Sequence, residues 1–495
     1  FCHNMKHKQV LSVIAALFDT LLFGGIIFGW PSLDFVLKRE GYFSSKCEIE
    51  TGDLKNGTTV ASSEKSLNCP SQDIALNLVY TLSTTIGGVS TFPLGYLFDR
   101  FGAWKFRTGS ILTFILACTA IACSNKETSW LLYIAMPVVA VCSFAILTSN
   151  TPIGYFCVAA QATVISIIYG AFDSSAAVMV VMKIASQLGA TVAEIFTFYG
   201  ALLLLSLVYT FVLMPRMHVP FNVPDGYQYG VTECCCFNNP ISSPQNTNTP
   251  NQSRRKRSGV SESTPLLANQ GEEQKTFSST LKDLSYWLNV LYLSILQLRL
   301  YVFYGTLNQW ISTLTSNREQ QSKYITAFGF IQLTGILIAP FSGVMTDMMT
   351  KYYRKSVTCS EQVVRKRGVC FTIGCTCLMA TIFSALVLIP VLEIQYITFF
   401  VQNAARTFLY AGNGAFLATT FPSEHFGKLN GLTIGIASVV SLLTYPINIL
   451  VLKVFGGSFV VVDSVFLGLC VLTFVHPVVL FFRTKPSKKT STCYC

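Results

Sequence analysis

The chain has 495 residues, of which 51% are hydrophobic and only 12% charged, with 35 Lys and Arg against 24 Asp and Glu for a net charge of +11. A soluble protein carries about 25% charged residues, and a mean hydropathy of +0.50 is too high for one. The net charge invites a nucleic-acid partner, but its distribution excludes that reading, because the cations are spread over alternate loops between long apolar runs rather than gathered in a patch.

Those apolar runs are long enough to cross a bilayer as helices. About twelve are expected, over 9–36, 75–97, 107–124, 129–149, 160–183, 191–214, 287–310, 323–346, 369–390, 394–419, 428–452 and 460–482. The expected fold class is all-α integral membrane, with twelve transmembrane helices in two six-helix halves. The chain divides into an N-terminal half (1–215), a polar central loop (216–283), a C-terminal half (284–482) and a short tail (483–495). The first residue is Phe1, and Met5 is an alternative start. The first run is too long for a signal peptide and lacks a small-residue cleavage site, so it reads as a span. It contains Asp19, about 13 Å deep at the helical rise. Charges at that depth are costly and face a cavity or one another.

The loop after the first span (38–74) holds Asn56-Gly57-Thr58, a glycosylation acceptor, flanked by Cys47 and Cys69, which suit a disulfide in an oxidising compartment. The other cysteines, among them Cys118, Cys142, Cys157, Cys370 and Cys470, lie in spans as small apolar packing residues. No spacing of Cys with His suggests zinc, and no metal or other cofactor is expected.

The second span ends in PLGYLFDRFGAWKFR, with Gly95 four residues before Asp99 and Arg100 following it; the eighth ends in PFSGVMTDMMTKYYRK, with Gly343 and Asp347 at the same spacing. The glycines let neighbouring helices approach closely. Each aspartate can cap an adjacent helix or pair with a loop arginine, so the two copies read as a latch between the halves. The cations Arg100, Lys105 and Arg107, the run Arg254 to Arg257, the group Lys351 to Arg367 and Arg483 to Lys489 place both termini and the central loop in the cytoplasm by the positive-inside bias. They suit lipid headgroups.

Further charges lie in the fifth span (Asp173), the seventh (Arg299) and the tenth (Arg406). Asp173 sits among small neighbours, Gly170 to Ala176, which favours a packing role. Uncharged polar groups lie at similar depth: Asn150, Gln297, Asn308, Gln332, Tyr410 and Asn413. Amides offer paired donors and acceptors, suited to a planar hydrogen-bonding ligand, and Phe28, Trp30, Tyr304, Phe328 and Phe408 offer ring faces for stacking. In the central loop, Cys234 to Cys236 is a palmitoylation candidate, and Glu262 followed by Leu266-Leu267 has the spacing of a sorting signal. The rest of that loop is too polar to fold.

The paired Gly-x-x-x-Asp loops resemble the signature of the major facilitator superfamily; the second copy lacks the Asp-Arg pair. Further runs resemble solute carrier family 43 within it, across nearly the whole chain: Phe28-Gly29-Trp30-Pro31, Gly170 to Ser175, Leu213-Met214-Pro215-Arg216, Gln297 with Gly305 to Asn308, and Phe421 to Leu429. The family includes facilitators of large neutral amino acids and of nucleobases, and the Gly170 and Phe421 runs look most like the latter. The resemblance implies sodium-independent, equilibrative transport of purine nucleobases (adenine, guanine, hypoxanthine). A monomer in the plasma membrane is expected. A large neutral amino-acid uniporter is the alternative.

It also implies a cavity lined by the first, fourth, seventh and tenth spans, which makes Asp19, Arg299 and Arg406 candidates for its lining. Gly154 to Gln161 lacks the arginine the family tends to carry, Asp19 stands where a glutamate is expected, and Arg299 is not part of the pattern. Glu424 and His425 sit in a cytoplasmic turn and read as gating residues, not a catalytic centre. No phosphate-binding glycine loop is present, so an ATP-driven pump is not expected, and no nucleophile–base or metal cluster suggests an enzyme.

Overall fold

A chain this apolar pairs its backbone within the bilayer by forming helices. The computed structural model describes residues 7–47, 69–157, 161–215, 280–356, 361–421 and 426–483, and among these there is helix and no strand. Asn56, Glu424, His425, Cys234 to Cys236 and the Glu262 to Leu267 run lie outside the described residues.

Among the described residues, eight helices are each long and apolar enough to cross a membrane. Two bent pairs, His7–Phe23 with Ile26–Arg39 (43°) and Arg318–Gln332 with Gly335–Lys355 (44°), raise the number to ten. Two features bring it to the expected twelve. Pro70–Ala122 is 53 residues long and consists of two helices joined across Gly102, whose φ of +76° is open to glycine at little cost. Gln395–Thr420 has 26 residues but buries Gln395, Gln402, Asn403, Arg406 and Asn413, so its inward face dilutes its apolarity.

The break at Gly102 also corrects one expectation. Arg107, counted with the loop cations, is already inside the third span and fully buried. Cys157 is likewise not a free packing cysteine, because it is disulfide-bonded. Cys47 and Cys69 are joined to each other, 22 residues apart in sequence.

The two halves meet along the second and eleventh spans and along the fifth and eighth. Close approach there depends on glycine: a Cβ at Gly88 would collide with Ser438, one at Gly329 with Val180, and one at Gly170 would lie 2.9 Å from Ala339 Cβ. The signature glycines behave otherwise. A Cβ at Gly95 or Gly343 would meet nothing within 4 Å, so the tight packing expected at these two positions is found nearer the membrane centre.

Polar ties between the halves run from the midplane toward the outer end. Ser174 Oγ donates to Gln332 O (3.1 Å), and Asn77 Nδ2 donates to Gly305 O (3.0 Å). Lys183 Nζ donates to Thr326 Oγ1 (2.9 Å), and Asn308 Nδ2 donates to Asp34 Oδ2 (2.5 Å).

Candidate functional site

The tenth span supplies the centre of the site. Gln402, Arg406 and Tyr410 recur at four-residue spacing, which sets them along one face of a helix. Arg406 is 1% exposed. Its Nη2 lies 2.9 Å from Asp173 Oδ1 on the fifth span, so a buried ion pair joins the N-terminal half to the C-terminal half. Thr407 Oγ1 donates to the other carboxylate oxygen (3.4 Å). The guanidinium stacks over Phe28 at 3.9 Å from the ring centroid, a cation–π contact that desolvation strengthens.

The network continues through amides. The Tyr304 hydroxyl accepts from Gln402 Nε2 (2.7 Å) and Arg406 Nη1 (3.5 Å) and donates to Gln332 Oε1 (3.4 Å). Gln332 Nε2 in turn donates to Gln402 Oε1 (3.1 Å). One turn further in, Tyr410 donates to Gln297 Oε1 (3.3 Å), and Gln297 Nε2 reaches Ser438 Oγ (3.2 Å). Rings enclose the group: Phe28 lies 5.8 Å from Tyr301 and 6.0 Å from Phe172, and Tyr304 lies 5.6 Å from Phe328.

In or beside this cage Arg406 Nε, Trp30 Nε1 and the Tyr80 hydroxyl have no hydrogen-bond partner, and Arg406 Nη2 has none beyond its ion-pair contact with Asp173. Buried polar groups are nearly always paired, and each orphan costs about 1–3 kcal/mol. An enclosed aromatic cage with unsatisfied donors suits a flat molecule that carries several acceptors.

Of the residues proposed from sequence, the centre brings together Gln332, Arg406, Tyr410 and Gln297. It does not include the other four. Asp19 and Asn150 lie in a separate cluster within the N-terminal half, around Arg107. There Arg107 donates to Asp19 Oδ2 (2.5 Å), Ser206 (3.0 Å), Ser149 (2.8 Å), Asn150 Oδ1 (2.8 Å) and Thr210 (2.7 Å). All five donors of the guanidinium are thus used, and the cluster has nothing left to offer a ligand through it.

Asn308 sits at the outer seam, where Lys38 also bridges Asp34 (3.1 Å) and Asp73 (2.5 Å). Asn413 links Asn289 (2.7 Å) to Asn430 (2.9 Å) inside the C-terminal half. Arg299 pairs with Asp463 (3.0 Å), also within that half. Asp99, Arg100, Gly343 and Asp347 are exposed at the inner end, with Gly95 partly so.

Sequence reasoning overlooked Gln402, although it stands one helical turn before Arg406. It read Asp173 as packing because of its small neighbours, and those neighbours are what bring the two halves close enough for the pair to form.

Twelve helices in two halves, with an enclosed polar centre at their junction, define a multi-pass membrane transporter rather than an enzyme. The Major Facilitator Superfamily profile matches residues 57–364. The chain is 33% identical to equilibrative nucleobase transporter 1 of Bos taurus over 95% of each chain. It is 25% identical to the human large neutral amino acids transporter small subunit 3, over 94% of this chain and 92% of that one.

Among solved structures, the nucleoside transporter NupG is similar with a TM-score of 0.52 and 11% identity, covering 97% of this chain and 99% of that one. The human organic anion transporter MFSD10 (TETRAN) gives 0.56 and 10%, covering 94% and 99%. The chain belongs to the major facilitator superfamily and, within it, to solute carrier family 43.

Proposed function

We propose that the protein is a sodium-independent, equilibrative transporter of purine nucleobases that works by alternating access. The observation that carries this is the centre itself: ring faces, the Gln332–Gln402 amide pair and a guanidinium with an unpartnered Nε. Arginine recognises the O6 and N7 acceptors of guanine, and Gln or Asn recognises N6 and N7 of adenine, by paired hydrogen bonds. The nucleobase-transporter relative, similar over 95% of its length, supports the same substrate class.

In this reading the Asp173–Arg406 pair holds the halves together while the site is empty of substrate. Removing one partner of a buried pair costs about 3–5 kcal/mol, so the halves separate when a purine acceptor takes the place of the carboxylate on Arg406. The halves then rock about the site. Both termini are cytoplasmic, the protein is a plasma-membrane monomer, Asn56 is glycosylated, and the Asp99 and Asp347 loops form the inner gate.

A second reading rests on the same pair. Asp173 and Arg406 provide one partner each for the ammonium and carboxylate of a neutral amino acid, and the relative 25% identical to this chain carries amino acids in its name. The deciding experiment is uptake of labelled adenine, guanine and hypoxanthine in cells expressing the protein, with excess leucine as competitor. Saturable purine uptake indifferent to leucine and to replacement of sodium supports the proposal. Leucine uptake that purines do not inhibit establishes the second reading instead.

A further inference from the structure

A second region has a shape that transport of a small substrate does not use. Between the inner ends of the eighth, ninth and twelfth spans lies a groove of about 490 Å³, lined by Tyr353, Arg367, Phe371, Gly374 and Phe481 among others. It belongs wholly to the C-terminal half and faces outward: Phe371 and Phe481 are exposed.

The Arg367 guanidinium sits between two rings, 5.8 Å from Tyr353 and 5.4 Å from Phe481. Its Nε is buried with no hydrogen-bond partner. A guanidinium so held is restricted in orientation, and its free donor suits phosphate, which arginine binds in paired fashion.

Two more observations identify the occupant. The first is charge. The groove opens at the membrane end where Lys351, Arg354, Lys355, Arg365 and Lys366 cluster, the end that the positive-inside bias assigns to the cytoplasm. Basic pockets between spans on that side select anionic headgroups. The second is depth. Gly374 lies two helical turns beyond Arg367, about 10 Å deeper at the helical rise, and a Cβ there would meet nothing within 4 Å. The groove therefore continues from headgroup level into the acyl region. Free phosphate would fill only its mouth, whereas a phospholipid has the charge and the apolar length for both parts.

We propose that this groove is a binding site for an anionic glycerophospholipid of the inner leaflet, with Arg367 holding the phosphate and the Phe371–Gly374–Phe481 surface holding an acyl chain. The site lies on the membrane face of one half, so it is independent of which substrate the centre carries.

The test uses the purified full-length protein in detergent, with its melting temperature followed on titration of dioctanoyl phosphatidylserine, dioctanoyl phosphatidylcholine or inorganic phosphate. Phosphatidylserine raises the melting temperature saturably, and the other two do not. Loss of a charged hydrogen bond is worth about 1.5–3 kcal/mol, so Arg367→Gln weakens the phosphatidylserine response about tenfold or more. Gly374→Leu fills the groove while leaving the arginine in place and abolishes the response; it serves alone if Arg367→Gln does not fold. Equal shifts with the two lipids, or an unchanged phosphatidylserine response in Gly374→Leu, overturn the proposal. A phosphate response equal to that of phosphatidylserine overturns it in favour of a free-anion site.

Discussion

Arg107–Asp19 and Arg406–Asp173 are both buried ion pairs between spans, and they have opposite designs. Arg107 uses all five donors on partners within the N-terminal half and lies against Tyr209 (4.9 Å). Arg406 spans the junction, shares Asp173 with the other half and leaves Nε without a partner. An arginine that spends every donor within one rigid body is a strut that has no reason to break during transport. An unsaturated pair between two bodies must break whenever they part, and it keeps a donor in reserve for whatever replaces the carboxylate. Both pairs are buried and oppositely charged, so what separates scaffold from site is the number of arginine donors left over and whether the partners move together.

The largest effect should come from attacking the strut. Arg107→Ala leaves Asp19 buried without its cation and is expected to cost about 3–5 kcal/mol, seen as loss of folded protein in size-exclusion profiles of detergent extracts. Next is Asp173→Asn, which keeps the shape at the junction but removes the charge. It is expected to reach the membrane at normal levels and to lose most purine uptake; if its uptake matches wild type while Asp19→Asn abolishes it at normal expression, the assignment of the two pairs is reversed.

A smaller change is expected from Asn308→Ala, which cuts the donor to Asp34 at the outer seam. A buried hydrogen bond of this kind to a charged group is worth about 1.5–3 kcal/mol. The outer end should open more readily, which cysteine-accessibility labelling near Asp34 would register as faster modification. The smallest effect belongs to the inner loops. Asp99→Ala should slow uptake more than Asp347→Ala, because only Asp99 is followed by an arginine, and initial-rate measurements on the two variants compare them directly.

Much of this was legible in the sequence, and the parts that were not share a cause. Apolar runs reveal spans because the bilayer imposes length on each one separately. Arg406 and Asp173 stand out for the same reason, as charges where charge is costly. Their pairing is a tertiary fact, since it depends on the fifth and tenth spans meeting across the junction. Arg107 was misplaced because a loop was expected to follow Asp99, whereas the chain breaks only at Gly102 and resumes its helix at once. The amides Asn150, Asn308 and Asn413 could not be sorted from Gln332 by type or depth, because an amide that ties two helices and one that meets a ligand have the same donors and acceptors. Asp463, the partner of Arg299, was passed over near the start of an otherwise apolar last span.

The polar face of Gln395–Thr420 has a consequence for biogenesis. Insertion of a helix from the translocon is opposed by each central charge, by about 2.5–3.5 kcal/mol for arginine, and this helix adds buried Gln and Asn residues to Arg406. The segment that carries Arg406 is therefore poorly suited to enter the membrane alone. It must be received by helices already in place, above all Glu361–Val387, which precedes it and packs along it. Assembly of the C-terminal half is then ordered in time, with the ninth span acting as the template on which the working helix is laid down.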